Sequence, residues 1–134
     1  MGNQLAKEWL KASNDDLSVI AKIIDDANLT HIVAFHSQQA IEKSLKAMIE
    51  FDNKKVPKVH KLQTIVDSVD LDLEIDDTIL QLLDKLYIDS RYPGNFGLLP
   101  YGKPLLKDSE VFYQLAKDIF NYTQNYIKDT YEHS

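Results

Sequence analysis

The chain has 134 residues, 44% hydrophobic and 27% charged, with a formal net charge of −6 and no cysteine. That length suits one domain with its own core, and the mixture is that of a globular rather than a disordered chain. Without cysteine, disulfides and thiolate metal sites are excluded and a reducing, cytoplasmic setting is expected. No stretch approaches eighteen unbroken apolar residues, so no membrane-spanning helix is expected.

Leu5, Trp9, Ala12, Leu17, Ile20 and Ile24 recur at spacings of three to five, which predicts one helix over residues 3–26. Within it, Ser13, Asn14, Asp15 and Asp16 compete for backbone hydrogen bonds and mark a weak spot where a bend could fall. Asn28 and Thr30 offer an end and a new N-cap. Residues 30–51 carry the strongest pattern, with Ala34, Ile41, Leu45, Met48 and Ile49 on one arc of about 100°. Opposite runs a stripe of small residues, Ala40, Ser44 and Ala47, where another backbone can come close. A helix with two usable faces belongs in the middle of a bundle or at a dimer contact. Gln39, Lys43 and Lys46 lie between the faces, at i, i+4 and i+7.

Gln38 falls inside the apolar arc, with Glu42 one turn on. A buried amide or carboxylate costs about 1–3 kcal/mol unless it finds a partner. The pair therefore either forms an internal hydrogen-bond network that locks the bundle or contacts a ligand.

Pro57 breaks the chain. A short helix with Leu62, Ile65, Val66 and Val69 follows, opened by His60, which can cap or tether it. The acidic stretch 71–77 reads as a loop leading to an N-cap at Asp76 or Asp77. Ile79, Leu82, Leu83, Leu86 and Tyr87 define a fourth helix that ends near Tyr92, because Pro93 disfavours helical geometry before it. Asp108 or Ser109 caps the last helix, whose face is built from Val111, Phe112, Leu115, Ala116, Ile119, Phe120, Tyr122, Thr123, Tyr126 and Ile127. The sum is an all-α, up-down bundle of four long helices plus a short one, in a single domain over residues 1–134.

Charge is uneven. Residues 43–61 hold six lysines against Glu50 and Asp52, a local +4, while the rest of the chain sums to −10. Such a patch is either a solvated lysine loop or a site for a compact anion, and it is too small for a long nucleic acid track. His31 and His36 lie about 140° apart around a helix and do not converge as metal ligands would, so no metal or cofactor is expected. Gly94, Gly97 and Gly102 match neither the Walker spacing nor the dinucleotide fingerprint, and nothing points to a nucleophile elbow or a hydrolytic triad.

The stretch 91–104, RYPGNFGLLPYGKP, contains three of the four glycines, three of the four prolines and the only arginine. A connector between helices needs only a few residues. An ordered functional loop is therefore expected, with Arg91 and Tyr92 at the base of a groove near the basic segment. Arg91 could instead cap the fourth helix at its C-terminus.

FHSQQAIEKSLKAMIEF at 35–51, P-x-x-H-x-L at 57–62 and RYP at 91–93 together resemble the HEPN domain, the nucleotide-binding family of higher eukaryotes and prokaryotes. Ala6, Trp9, Ala12, Asp16, Leu17 and Ala21 extend the likeness over nearly the whole chain. The resemblance implies a dimeric helical bundle from a bacterium or archaeon, often encoded beside a minimal nucleotidyltransferase as a toxin–antitoxin-like pair. It also implies one of two activities, nucleotide binding or metal-independent RNA cleavage. The cleaving branch carries R-x(4–6)-H. Here Arg91 is present, but the candidate histidine positions hold Phe96, Gly97 and Leu98, which cannot replace an acid–base imidazole.

Three readings follow. The first is a non-catalytic dimer that binds a nucleotide or phosphate ligand through Arg91, Tyr92, Lys43, Lys46, His60 and Gln39 and works with a nucleotidyltransferase. The second is a helical interaction module. The third is an RNase toxin that uses Arg91 with a displaced histidine, His60 or His36.

Overall fold

The computed structural model describes residues 2–89 and 102–132. They hold five helices: α1 (Gly2–Ile23), α2 (Thr30–Phe51), α3 (Leu62–Asp67), α4 (Asp77–Asp89) and α5 (Leu106–Glu132). The fold is the expected all-α bundle, with α2 packed against every other helix. No helix among the described residues is long and apolar enough to cross a membrane.

Helix α1 runs through its Ser-Asn-Asp-Asp segment because Ser13 and Asp16 find partners on α2 rather than on their own backbone. Ser13 Oγ donates to the Ala40 carbonyl at 2.7 Å and lies 2.8 Å from Ser44 Oγ. Asp16 accepts from α2, while Ser18, just beyond the segment, bonds back to the Asn14 carbonyl. The weak spot is thus the seam that joins α1 to α2. It also shows what the small-residue stripe is for. Ala40, Ser44 and Ala47 are wholly buried, with Ser13 of α1 of the same chain bonded to Ala40 and Ser44, so the stripe puts α2 mid-bundle and leaves no surface for a second copy there.

The buried side of α1 is rotated from the expected one. Ala6, Ser13, Leu17 and Ile20 face inward, whereas Leu5 is 48% exposed. In α5, Phe112, Ala116, Ile119, Phe120 and Thr123 are buried as the pattern requires, but Val111 lies outside at 45% exposure. The Tyr126 hydroxyl donates to Asp52 at 2.9 Å and ties α5 to the end of α2. Burial, reinforced by that bond, raises the phenol above its ordinary value.

Helix ends show how local chemistry sets the boundaries. At α4, Asp76 caps as expected, its carboxylate accepting from Thr78 N–H at 2.9 Å. At α2, Thr30 is not the cap: it lies inside the helix, and Leu29 precedes it with no side-chain capping bond. The chain instead turns through Asp26, which accepts from the Asn28 N–H. At α5, the helix begins at Leu106, before either expected cap, and Asp108 acts from within by accepting the Leu105 N–H at 2.8 Å. At the C-terminus of α2, Asn53 takes φ 59°, with Lys54 N–H bonded to the Ile49 carbonyl and Asn53 N–H to that of Glu50. This is a complete Schellman closure, in which asparagine supplies the left-handed residue that glycine usually provides.

Candidate functional site

No residue of α2 is fully exposed, yet Phe35, His36, Gln39 and Lys43 form a half-buried strip along it. Helix α1 bounds one side and α4 the other. On the α1 side, Asp16 accepts from Lys43 Nζ at 2.8 Å and meets His36 Nδ1 at 2.8 Å. On the α4 side, Tyr87 stacks on Phe35, with ring centroids 5.6 Å apart and planes 20° from parallel. The far flank of Tyr87 faces His60 at 6.0 Å. An aromatic row therefore links the middle of α2 to the segment that precedes α3.

Beneath this row lies a buried polar network. Gln38 is wholly buried and donates from Nε2 to the His60 carbonyl at 2.8 Å and to Glu42 at 3.3 Å. Its oxygen accepts from Gln39 Nε2 at 2.7 Å. Glu42 also accepts from Lys46 Nζ at 2.8 Å, and His60 Nδ1 lies 3.0 and 3.1 Å from its two oxygens. Lys46 stands over the ring of Trp9, 5.5 Å from the centroid. The internal-network reading of Gln38 and Glu42 therefore describes the fold, and the network pins the irregular segment 52–61 to α2.

The start of α3 supplies the next layer. His60 does not cap this helix through its ring. Asp84, reaching across from α4, accepts the Leu62 N–H at 2.8 Å and approaches the Gln63 N–H at 3.5 Å. Burial pushes the Asp84 carboxyl above its ordinary value, while the two backbone donors and Lys61 pull the other way. Val59, His60, Lys61, Asp84, Tyr87 and Ile88 line an open cleft of about 310 Å³. Within it His60 has its Nδ1 edge turned inward and 56% of its side chain in solvent. Lys54, Lys55, Lys58 and Lys61 of the basic segment are all exposed nearby in sequence.

The fold thus gathers Gln39, Lys46 and His60 around Gln38 and Glu42, and it sets Lys43 in a separate pair with Asp16 and His36. Lys43 and Lys46 both serve carboxylates of their own chain. Arg91 and Tyr92, with the stretch through residue 101, lie outside the described residues. Sequence reasoning does not single out Asp84, and it places Asp16 in a weak spot and in the HEPN resemblance rather than as the partner of Lys43 and His36. The available signal was a carboxylate on the inward side of each helix, Asp16 beside Leu17 and Ile20, and Asp84 beside Leu80 and Leu83. Among the described residues no three His, Asp or Glu side chains gather as a metal cluster.

An all-α bundle built around one central helix, with a buried Gln–Glu–Lys–His network under a half-open cleft, defines the class as a small all-α domain. Residues 6–131 match the model of the HEPN domain, and the chain belongs to that family. It is similar to the protein named "Putative toxin MJ1304" of Methanocaldococcus jannaschii, 27% identical over 139 positions covering 94% of this chain and 90% of the relative. Two crystal structures share the fold. TT1696 from Thermus thermophilus has a TM-score of 0.65 at 19% identity, covering 90% of this chain and 96% of its own. ST0689, an archaeal HEPN homologue, has a TM-score of 0.66 at 24% identity, covering 91% and 97%.

Proposed function

We propose that this chain is a dimeric, nucleotide- or phosphate-ligand-binding HEPN protein that acts with a minimal nucleotidyltransferase in a toxin–antitoxin-like pair. The observation that carries the reading is the cleft at the end of α4. His60 and Lys61 line it, and Arg91 follows Asp89 by two residues in the chain. A planar guanidinium is suited to gripping phosphate, and Lys61 is an exposed neighbouring cation. Because Lys43 and Lys46 are held by Asp16 and Glu42, they shape the site from behind and leave the phosphate to Arg91 and Lys61. The similarity to a protein named as a toxin favours the toxin–antitoxin context.

Calorimetric titration tests the binding. Wild type is expected to bind a nucleotide with a salt-dependent affinity that falls about tenfold or more in Arg91→Ala, since a charge-assisted contact contributes about 1.5–3 kcal/mol. Identical titrations for the two proteins, or no binding by wild type, would reduce the chain to an interaction module. Sedimentation equilibrium tests the dimer, and a mass of about 15 kDa at tens of micromolar would remove it.

The exposed edge of His60 favours one second reading, metal-independent RNA cleavage with His60 in place of the histidine missing at 96–98. The first reading expects no cleavage in the presence of a chelator. Cleavage abolished in both Arg91→Ala and His60→Ala, with folding intact, would replace it by the second.

A further inference from the structure

A neutral imidazole carries one proton, and which nitrogen holds it is set by what the ring faces. His60 Nδ1 faces a group that can only accept. Glu42 takes the Lys46 ammonium on Oε2 at 2.8 Å and the Gln38 amide on Oε1 at 3.3 Å, as a carboxylate does. The orientation of Gln38 is fixed independently, because its Nε2 meets the His60 carbonyl and its Oε1 meets the amide of Gln39. Glu42 therefore has no proton to give, and the hydrogen bond to His60 at 3.0 Å must be made by Nδ1–H. The other nitrogen, Nε2, is the one not turned to Glu42, and His60 lines the cleft with 56% of its side chain in solvent.

We infer that Glu42 fixes the neutral form of His60 as the Nδ1–H tautomer, so that in this form Nε2 is left as an acceptor for a ligand hydroxyl, and that the ligand is a ribonucleotide held through its ribose hydroxyls. The inference rests on the reading of this cleft as a nucleotide site and divides the work within it. A lone pair on Nε2 repels a phosphate oxygen but accepts an O–H. The phosphate then falls to the cations, of which Lys61 lines the same cleft, and His60 reads the sugar. Glu42 is the positioning residue: it touches no ligand and acts by fixing which nitrogen of His60 is bare. This network is more than a tether for segment 52–61, which the Gln38 bond to the His60 carbonyl already secures without the ring.

The test has two arms. Long-range ¹H–¹⁵N NMR of the free protein, at a pH where the same titration shows the ring neutral, is expected to find the His60 proton on Nδ1. Calorimetry with AMP and with 2′,3′-dideoxy-AMP is expected to show about tenfold weaker binding of the dideoxy compound, the effect of one lost hydrogen bond. In His60→Asn the amide can still donate to Glu42, so urea stability should stay near wild type while the two nucleotides bind alike. A purely structural histidine would leave that ratio unmoved. An Nε2–H ring, equal binding of both nucleotides by wild type, or a ratio that survives His60→Asn would each overturn the inference. No AMP binding by a protein whose ring is Nδ1–H would overturn the nucleotide reading of the cleft and leave the tautomer standing.

Discussion

Replacing Glu42 by Gln changes one oxygen to an amide and leaves the volume of the side chain alone, so its cost measures charge rather than packing. Both members of the Lys46–Glu42 pair are nearly inaccessible, with 9% and 6% of their side chains exposed. Removing the carboxylate leaves the ammonium without its counter-charge, with a neutral Gln oxygen and the face of Trp9 as residual compensation. Breaking a buried pair in this way costs about 3–5 kcal/mol. Because a Gln oxygen still accepts from Nζ, the low end, about 3 kcal/mol, is expected. Unfolding entropy of about 2.1 cal/mol/K per residue converts that into a Tm lowered by roughly 10 °C for a chain of this length. Lys46→Met keeps the apolar stem against Trp9 and leaves Glu42 with two other donors, Gln38 and His60, so about 1–2 kcal/mol is expected. The double variant should cost at least about 1 kcal/mol less than the sum, since no unpaired ammonium remains. Urea unfolding followed by circular dichroism gives all four values. Trp9 fluorescence gives a second reading at the pair itself, as it is the chain's one tryptophan. A cost below about 1 kcal/mol for Glu42→Gln, or additivity within about 0.3 kcal/mol, would refute the claim that this charge is buried and paired.

Three further outcomes follow from the geometry. Burial raises the folded-state value of Asp84 above its reference of 3.8, so the native state takes up a proton before the unfolded chain does. Stability from this group therefore grows as pH falls from neutrality toward 4 and is lost as pH rises; the margin of wild type over Asp84→Asn in urea should widen on acidification, and a margin that narrows contradicts the sign. Asn53 holds a left-handed φ, so Asn53→Ala should lower unfolding free energy by about 1 kcal/mol, while Asn53→Gly should cost less or nothing. Thr123 is wholly buried and its hydroxyl has no partner among the described residues, so Thr123→Val is expected to be neutral or to raise Tm by a few degrees, and a loss above about 1 kcal/mol would reveal a hidden bond.

What the sequence discloses, and what it withholds, divides by where a residue's partners come from. Periodicity located all five helices, because apolar spacing depends only on the geometry of one helix. It also exposed Gln38 and Glu42, since a polar residue inside an apolar arc is conspicuous without any neighbour. Cap positions were legible where the partner lies two or three residues away, as at Asp76. They were illegible where a third element supplies the acceptor, as Asp84 does for α3 from 22 residues along the chain. The same limit hid the seam at Ser13 and Asp16. Read locally, those side chains threaten their own helix; placed against α2, they satisfy Ala40, Ser44, His36 and Lys43.

The lysines show how this limit bears on function. As a charge count, residues 43–61 form one basic patch, but folding splits it into two populations. Lys43 and Lys46 turn inward to Asp16 and Glu42, and the four lysines from 54 to 61 remain in solvent. The inward pair cannot neutralise a ligand without abandoning a carboxylate, which for Lys46 would leave Glu42 buried and short of its strongest donor. Any anion that this face attracts is therefore left, among the described lysines, to the outer four. The inner network acts one step removed, by deciding which edge of His60 the ligand meets. Charge-reversal at Lys61 should thus weaken anion binding with little loss of stability, whereas substitution at Lys46 should do the opposite. A Lys46→Met protein that folds well but binds nucleotide no better than Lys61→Glu would show that the inner lysine serves the ligand after all.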